Sequence, residues 1–188
     1  MKPVSTIFAD LPIAYTGEQL AAHWIYRQFH IEGDAAVAFV GPCDVAPEHM
    51  RDLEDLQAGA RIYSERMLHI IVEMFGANLA EMVLRQHLLM ATIAEQLNRR
   101  LNRQAVRRQG SDLYDGDRKV TVSVACVSPV SGLIHTGINI SSRNTPVPTK
   151  GLDDYDIPAR EFGEETLSLI QQETAALERA RCKVRACP

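Results

Sequence analysis

Small and polar side chains alternate with apolar ones along two neighbouring stretches of the chain, and they are the first candidates for chemistry. The polar positions are Lys119, Thr121 and Ser123 in the first stretch and His135, Gly137 and Asn139 in the second. Side chains of a strand point alternately to its two faces, so each set shares one face. Thr, Ser and Gly leave room above this face of the sheet, and a lysine stands at one end of it. The pattern predicts a ligand site with Lys119 as its working residue.

A short segment rich in Ser, Pro and Gly, residues 128–132, joins the two stretches and predicts a turn between antiparallel strands. If the turn is centred near Val130, odd positions pair with odd positions, so that Ser123 lies opposite Gly137. Both polar sets then form one face, and the apolar residues between them belong to the core. The alternative is an ordinary solvated sheet face, on which Lys119 is an exposed residue at a strand end.

Three further side chains have both a chemical and a structural interpretation. His135 titrates near neutral pH, so it is either an acid or base or a residue of the pocket wall. The amide of Asn139 either contacts a ligand or joins two strands. Cys43 follows the apolar run 35–41, where loops often carry chemistry, and it would be an acyl-accepting nucleophile if a base lay nearby. The spacing identifies no such base, and a half-buried structural thiol is the alternative.

The composition is that of a globular protein and limits the partners. The chain has 188 residues, 46% of them apolar and 23% charged, which suits one domain, residues 1–188, with a sizeable core. No apolar run approaches the roughly 20 residues of a membrane span, and the N-terminus lacks the apolar core of a secretory signal. We therefore expect a cytoplasmic protein without membrane contact. The formal net charge of -4 argues against nucleic acid as a partner.

Two local features qualify this composition. Five arginines lie between residues 99 and 108. Surface patches that bind nucleic acid usually have aromatic or glycine residues between their basic ones, and this run has none. We therefore interpret it as the charged C-terminal end of a helix. The four cysteines form no CxxC pair and have no zinc-ligand spacing. Neither feature predicts a metal or a nucleic-acid site.

Hydrophobic periodicity predicts the order helix, strand, irregular segment, strand, long helix, hairpin and helix. The predicted elements are a helix from Thr16, strands at 35–41 and 67–75, a long helix capped by Asn78 with Glu81 in the capping-box position, the hairpin, and a last helix opened by Pro158. The polar segment 42–60 shows no clear regular element. This order predicts an α+β fold, in which helices pack on a mixed, largely antiparallel sheet.

The hairpin also resembles part of a known family. The core of biotin and lipoate protein ligases and of octanoyltransferases is similar to two stretches of this chain, SDLYDGDRKVTVSVA and HTGINI. Those enzymes carry an Asn-Asp, a short turn and Asp/Gly-Arg-Lys before a strand. One hairpin later they carry a strand that contains Gly-Ile-Asn. The matching residues are Asp112, Leu113, Tyr114, Asp117, Arg118, Lys119 and the stretch 137–140. Over its whole length the chain looks still more like a prokaryotic domain-of-unknown-function family with this biotin/lipoate ligase-like fold, which is also class II aminoacyl-tRNA synthetase-like. GPCDV, DLED, LHIIVE, DLY and GINI carry that likeness.

The resemblance implies roles for individual residues. In the ligases the matching lysine contacts the substrate carboxylate and the phosphate of an acyl-adenylate, and in octanoyltransferases it assists thioester transfer, so Lys119 is the implied catalytic residue. Asp112 matches an acid that helps to hold Mg²⁺ and ATP, although SDLYDGD also favours a structural turn residue there. Asn139 and Ser123 would hydrogen-bond the head group of the ligand. The implied partners are a small carboxylic acid, with ATP and Mg²⁺ as candidate cofactors, and an acceptor protein.

Three functions remain open from the sequence. The favoured one is an acyl ligase or acyltransferase that acts on a small carboxylic acid, by way of an acyl-adenylate if ATP is used. Where biotin and lipoate ligases carry a glycine-rich loop, this chain has VGPCDVAPEHMRD, which favours a non-catalytic module that binds a small ligand on the same fold. The third is octanoyl-type transfer through Cys43. The sequence does not determine the acid, the acceptor, the oligomeric state or the role of 42–60.

Overall fold

The long apolar stretches form the centre of one five-stranded sheet in a computed structural model, which describes residues 4–187. Its strands are β1 (Ser5–Phe8), β2 (Ala35–Val45), β3 (Ile62–Phe75), β4 (Val106–Gln109), β5 (Asp112–Asp115), β6 (Arg118–Lys119), β7 (Thr121–Val127) and β8 (Ser131–Asn139). The main sheet has the order β1-β2-β3-β8-β7, in which β1 is parallel to β2 and every other pairing is antiparallel. The two predicted buried strands are confirmed as parts of β2 and β3.

β4, β5 and β6 form a separate small antiparallel sheet that the sequence did not predict. The first stretch of the hairpin bends between β6 and β7. Before the bend, Lys119 pairs with Tyr114 in the small sheet. After it, Thr121 pairs with Ile138 in the main sheet, and Val120 between them is buried in the core. The bend places Lys119 at the junction of the two sheets.

Two long helices cover one face of the main sheet. They are α3 (Leu79–Leu101) and α4 (Ala159–Lys183). Asn78 accepts a hydrogen bond from the Glu81 amide at 2.9 Å, which confirms the predicted N-cap of α3. The larger hydrophobic core lies between these helices and the sheet, and it includes Leu68, Ile70, Met90, Ile93 and Phe162. The fold is therefore α+β, with helices packed on a mixed, largely antiparallel sheet, as predicted.

Short elements cover the opposite face of the sheet. They include α1 (Trp24–Phe29) and α2 (Leu53–Gln57). The predicted length of the first helix is wrong, because near Thr16 the chain forms only a turn in which the Thr16 amide donates to Gln19 Oε1 at 3.0 Å. The left-handed backbone of His23, with φ 61°, separates this turn from α1. No helix within residues 4–187 combines the length and the apolar character needed to cross a membrane.

The hairpin of β7 and β8 is confirmed, but its predicted pairing is wrong by one residue. The Ser128 amide donates to the Ser131 carbonyl at 2.7 Å, so the turn has two central residues and is not centred on Val130. A turn with two central residues pairs odd positions with even ones. Ser123 consequently lies opposite Thr136.

This shift changes which side chains share a face. Ser123 is on the face that carries the long helices, and its hydroxyl accepts a hydrogen bond from Gln86 Nε2 of α3 at 3.1 Å. Val122 lies opposite Gly137 instead, and the next pair on that face includes His135. The sheet face opposite the long helices, which we call the floor, therefore carries valines along β7 and the polar set that includes His135 along β8.

Asn78→Ala should lower the free energy of unfolding by about 1 kcal/mol, because the Glu81 amide loses its acceptor at the start of α3. Asn78→Asp keeps an acceptor at the same position and should remain close to the wild type. Urea unfolding followed by circular dichroism measures both variants. An equal loss in Asn78→Ala and Asn78→Asp would contradict the capping role.

Candidate functional site

Backbone hydrogen bonds fix Lys119 on both sides at the junction of the two sheets. Its amide donates to the Pro148 carbonyl at 2.9 Å, and its carbonyl accepts from the Lys150 amide at 3.0 Å. The same carbonyl accepts from Asn139 Nδ2 at 3.5 Å. Two separate segments of the chain, one containing Pro148 and Lys150 and the other Asn139, therefore determine where the Lys119 side chain begins.

The Lys119 ammonium forms a half-buried ion pair. Its Nζ lies 2.7 Å from Asp112 Oδ2, and the two side chains are 24% and 18% exposed. Burial lowers the pKa of Lys119, but the charge and hydrogen bond of Asp112 outweigh this effect and the pKa is raised, so the lysine is charged at neutral pH. Burial raises the pKa of the Asp112 carboxyl, and the attraction of Lys119 offsets only part of that rise.

The second oxygen of Asp112 has a different environment. Asp112 Oδ1 is buried and has no hydrogen-bond partner among residues 4–187. A buried acceptor without a partner is costly, since it has lost its hydration and gained no compensating bond. A donor or cation bound at this oxygen would remove that cost.

Two adjoining cavities meet at Lys119. The larger has a volume of about 1000 Å³, open mouth included, and reaches Asp112 and His135. The smaller, about 930 Å³ on the same measure, reaches Asn139 and Pro148. The residues that border both cavities are Asp55, Ile62, Tyr114, Lys119 and Val122. A ligand in either cavity would therefore lie close to the lysine.

The polar segment for which the sequence predicted no element forms one wall of the larger cavity. Its helix, α2, is capped by Asp52, whose side chain accepts hydrogen bonds from two amides of the first turn. The charged residues of the segment that border the cavity are Arg51, Asp52, Glu54 and Asp55, and His49 lies beside them. Together with Asp112, the three acids outnumber Arg51 and Lys119. An anionic ligand is thus favoured beside these two cations or together with a divalent cation.

A buried histidine, His135, borders the larger cavity, and a second, His69, lies behind it in the interior. His69 Nδ1 and His135 Nε2 are 3.0 Å apart, and His69 Nε2 is 3.3 Å from the Gly41 carbonyl oxygen. The Tyr15 ring stacks on His135 with centroids 3.6 Å apart. Burial lowers the pKa of His69 to about 3 and also lowers that of His135, which the neighbouring His69 lowers further. Both rings are therefore neutral at physiological pH, and His69 is bonded within the interior of the protein.

The other predicted ligand contacts have clear structural environments. A Cβ on Gly137 would lie 2.2 Å from the Met67 sulfur, so the absence of a side chain there makes room for Met67. Asn139 borders the smaller cavity and also bonds the Lys119 backbone, which corresponds to the strand-joining alternative. Ser123 borders the larger cavity, but its hydroxyl bonds towards the long helices.

Two residues of the larger cavity carried no signal in the sequence. Tyr15 reaches β2 through an isolated bridge to Cys43, and Arg51 lies in the polar segment that precedes α2. Both are far along the chain from Lys119, and neither belongs to a periodic pattern or a motif. Only the tertiary contacts could identify them.

Cys43 has the environment of a structural thiol. It lies within β2, not after a strand as the sequence predicted, and its side chain is completely buried. Burial raises the pKa of the thiol to about 12, and the charge of Asp44 contributes to the rise. The reactive form of cysteine is the thiolate, which such a pKa disfavours. Within the described residues no group of three or more His, Cys, Asp or Glu side chains could hold a metal ion.

A second lysine–aspartate pair closely matches the first in geometry. Lys150 Nζ lies 2.6 Å from Asp115 Oδ2, and these side chains are 24% and 19% exposed. Tyr155 donates a hydrogen bond to the same oxygen at 3.0 Å. Lys150 borders neither cavity. It resembles Lys119 in side-chain exposure and in having an aspartate partner, and differs in its lack of access to the cavities and in the added bond from Tyr155.

Comparison with known proteins identifies relatives along the whole described chain. The model of DUF366, a domain of unknown function, matches residues 4–185. An uncharacterized protein of Methanocaldococcus jannaschii is 36% identical over 160 residues, which cover 82% of this chain and 72% of that protein. A protein of unknown function from Pyrococcus horikoshi has a solved structure that superposes with a TM-score of 0.93 at 33% identity, covering 98% of this chain and 100% of that one.

More distant structures show which enzymes share the fold. Biotin protein ligase from Aquifex aeolicus, solved in complex with biotin and ATP, superposes with a TM-score of 0.58 over 89% of this chain and 69% of the ligase. The identity is 14%, so this likeness concerns the fold alone. The predicted biotin/lipoate ligase-like fold is confirmed.

Stability should fall as the pH falls below about 6.5, because of the buried histidines. In the unfolded chain His69 takes up a proton near its ordinary pKa of 6.5, whereas in the folded protein it stays neutral down to about 3. The unfolded state binds more protons between these values, so the free energy of unfolding decreases by at most roughly 1.4 kcal/mol per pH unit for each such histidine. His69→Gln should reduce this slope in urea unfolding between pH 7 and pH 5.

The exposed His30→Gln variant is the matched control for the loss of an imidazole. His69→Gln will also lower stability at every pH, since a buried hydrogen bond is lost, so the slope and not the absolute value is compared. A slope unchanged from the wild type would contradict the buried neutral state of His69.

Proposed function

This chain belongs to DUF366, a domain of unknown function, and from its ligase-like fold we propose that it is an acyl ligase or acyltransferase for a small carboxylic acid. The observation that carries the proposal is the charged, largely buried Lys119 where two cavities meet. An ammonium with little access to water stabilises a carboxylate, or an oxygen that gains charge during reaction, more strongly than an exposed one would. The Aquifex ligase, which shares the fold, is complexed with such an acid and with ATP.

The proposed reaction begins with the acid in the larger cavity and its carboxylate beside Lys119. A carboxylate oxygen attacks the α-phosphorus of ATP, the bond from that phosphorus to the β-phosphate oxygen breaks, and pyrophosphate leaves. Lys119 stabilises the negative charge of the oxygens at the reacting centre. A nucleophile on an acceptor protein then attacks the acyl carbon of the acyl-adenylate, loses its proton to solvent, and AMP leaves.

Mg²⁺ would accompany ATP at this site and neutralise charge on the phosphates. Asp112 Oδ1, which is buried and unpartnered among the described residues, suits a magnesium ion, because this ion takes one or two carboxylates and leaves its other positions to phosphate and water. Asp112 Oδ2 already bonds Lys119. Asp112 would thus connect the metal to the lysine.

One observation favours a second candidate function, a non-catalytic module that binds the acid. In this chain the stretch that replaces the glycine-rich loop of biotin and lipoate ligases continues β2 to Val45 and then forms a short helical turn at Pro47–His49. Extended and helical backbone offers fewer free amides to a triphosphate than a glycine-rich loop does. A module of this kind would bind an acid without consuming ATP.

Lys119→Ala should lower the rate of acid-dependent pyrophosphate release by about 10²–10³, the usual effect of removing one group that stabilises charge in the transition state. The assay supplies ATP, Mg²⁺ and one acid at a time, from biotin, lipoate and octanoate. Lys150→Ala is the matched control, since Lys150 has the same exposure and also pairs with an aspartate but borders neither cavity. It should retain the wild-type rate.

Each result of this assay has a defined meaning. An equal loss in both lysine variants would show a structural effect and contradict the role of Lys119. Acid binding in calorimetry without pyrophosphate release by the wild type would replace the ligase with the binding module. Release that persists in Lys119→Ala would remove Lys119 from the mechanism.

A further inference from the structure

The hydrogen bonds beneath His135 determine which of its ring nitrogens carries the proton. The Gly41 carbonyl is only an acceptor, so His69 Nε2 donates to it. A neutral imidazole has a single N–H, and His69 Nδ1 is therefore the acceptor of the next bond in the chain. His135 Nε2 donates that bond at 3.0 Å. His135 Nδ1 is consequently left without a proton and presents a lone pair.

The lone pair of His135 Nδ1 faces a space that a ligand can enter. This nitrogen makes no hydrogen bond to any of residues 4–187. Among those residues Asp112 Oδ1 is the one side-chain nitrogen or oxygen that is both sealed from solvent and unpartnered, so His135 Nδ1 keeps a small exposed area, and His135 borders the larger cavity. The ring cannot turn away easily, because it is 2% exposed, stacked on Tyr15 and bonded to His69.

We propose that His135 Nδ1 determines specificity by accepting a hydrogen bond from an uncharged N–H or O–H group on the chain of the bound acid. The ligand class is then a carboxylic acid that carries a hydroxyl or amide-type donor away from its carboxylate, and not a plain fatty acid. This inference rests on the proposed function, because it assigns the carboxylate of the same molecule to Lys119.

Recognition suits His135 better than proton abstraction does. A general base works best when its pKa is near the operating pH, whereas burial and the neighbouring His69 lower the pKa of His135. Protonation would also place a charge within a buried stack that has no acidic side chain bonded to it. A neutral acceptor that keeps one tautomer has no such cost.

The tautomer can be tested without any ligand. Long-range proton–nitrogen correlation spectra of nitrogen-15-labelled protein distinguish protonated from unprotonated ring nitrogens, and His69→Gln and His135→Phe assign the signals. We expect both rings to be neutral with the proton on Nε2. A proton on His135 Nδ1 would overturn the inference and leave the proposed ligase function untouched.

Ligand preference is tested with matched acids by calorimetry. The probes are hexanoate, octanoate and decanoate, each compared with its ω-hydroxy counterpart. For the chain length that reaches His135, the hydroxy acid should bind about two- to tenfold more tightly, which is the effect of one neutral hydrogen bond. The His135 Nδ1 resonance should shift on binding of that acid.

The variants separate this inference from the proposed function. His135→Phe keeps the ring that stacks on Tyr15 but removes both nitrogens, so it should bind both members of a pair equally. Lys119→Ala should weaken both members and leave their ratio unchanged. If wild-type protein binds all pairs without preference, the role of His135 is overturned while acid binding stands. If no acid binds at all, the proposed function fails and the inference fails with it.

Discussion

The removal of a lysine–aspartate pair from water is the interaction on which the rest of the site depends. Desolvation of two charges costs more than their attraction returns unless the geometry is well fixed. The chain meets this condition by bonding the Lys119 backbone to Pro148, Lys150 and Asn139 and by placing Asp112 on the adjacent small sheet. Part of the desolvation free energy remains uncompensated at Asp112. Burial raises the pKa of this carboxyl, and its Oδ1 has no hydrogen-bond partner among the described residues.

The larger cavity combines two kinds of polar group with different electrostatic character. Its charged groups lie at the sheet junction and on the wall before and within α2, where solvent reaches them. Its floor carries His135, which burial and the neighbouring His69 keep uncharged. A ligand with a charged carboxylate and an uncharged donor would match this separation, because each of its polar groups would meet a partner of the appropriate charge.

The difference between the predicted and the observed hairpin shows how much depends on one residue of register. Alternation correctly predicted two strands and a turn, but the turn has two central residues between Ser128 and Ser131. This single difference moved Ser123 to the helix face, where it bonds Gln86, and brought valines to the floor. Register is set by turn geometry as well as by the hydrophobic pattern, and a polar segment such as 128–132 does not specify that geometry from composition alone.

The sequence by itself determined the α+β class, the cap of α3 and the buried strands, because periodicity and capping are properties of neighbouring residues. Its choice of Lys119, which rests on a local motif, stays a prediction. Only the tertiary structure decided that Tyr15 and Arg51 border the cavity, that Cys43 is sealed and that His69 fixes the tautomer of His135. These features come from contacts between segments far apart in the chain, and such contacts produce no pattern among neighbouring residues of the sequence.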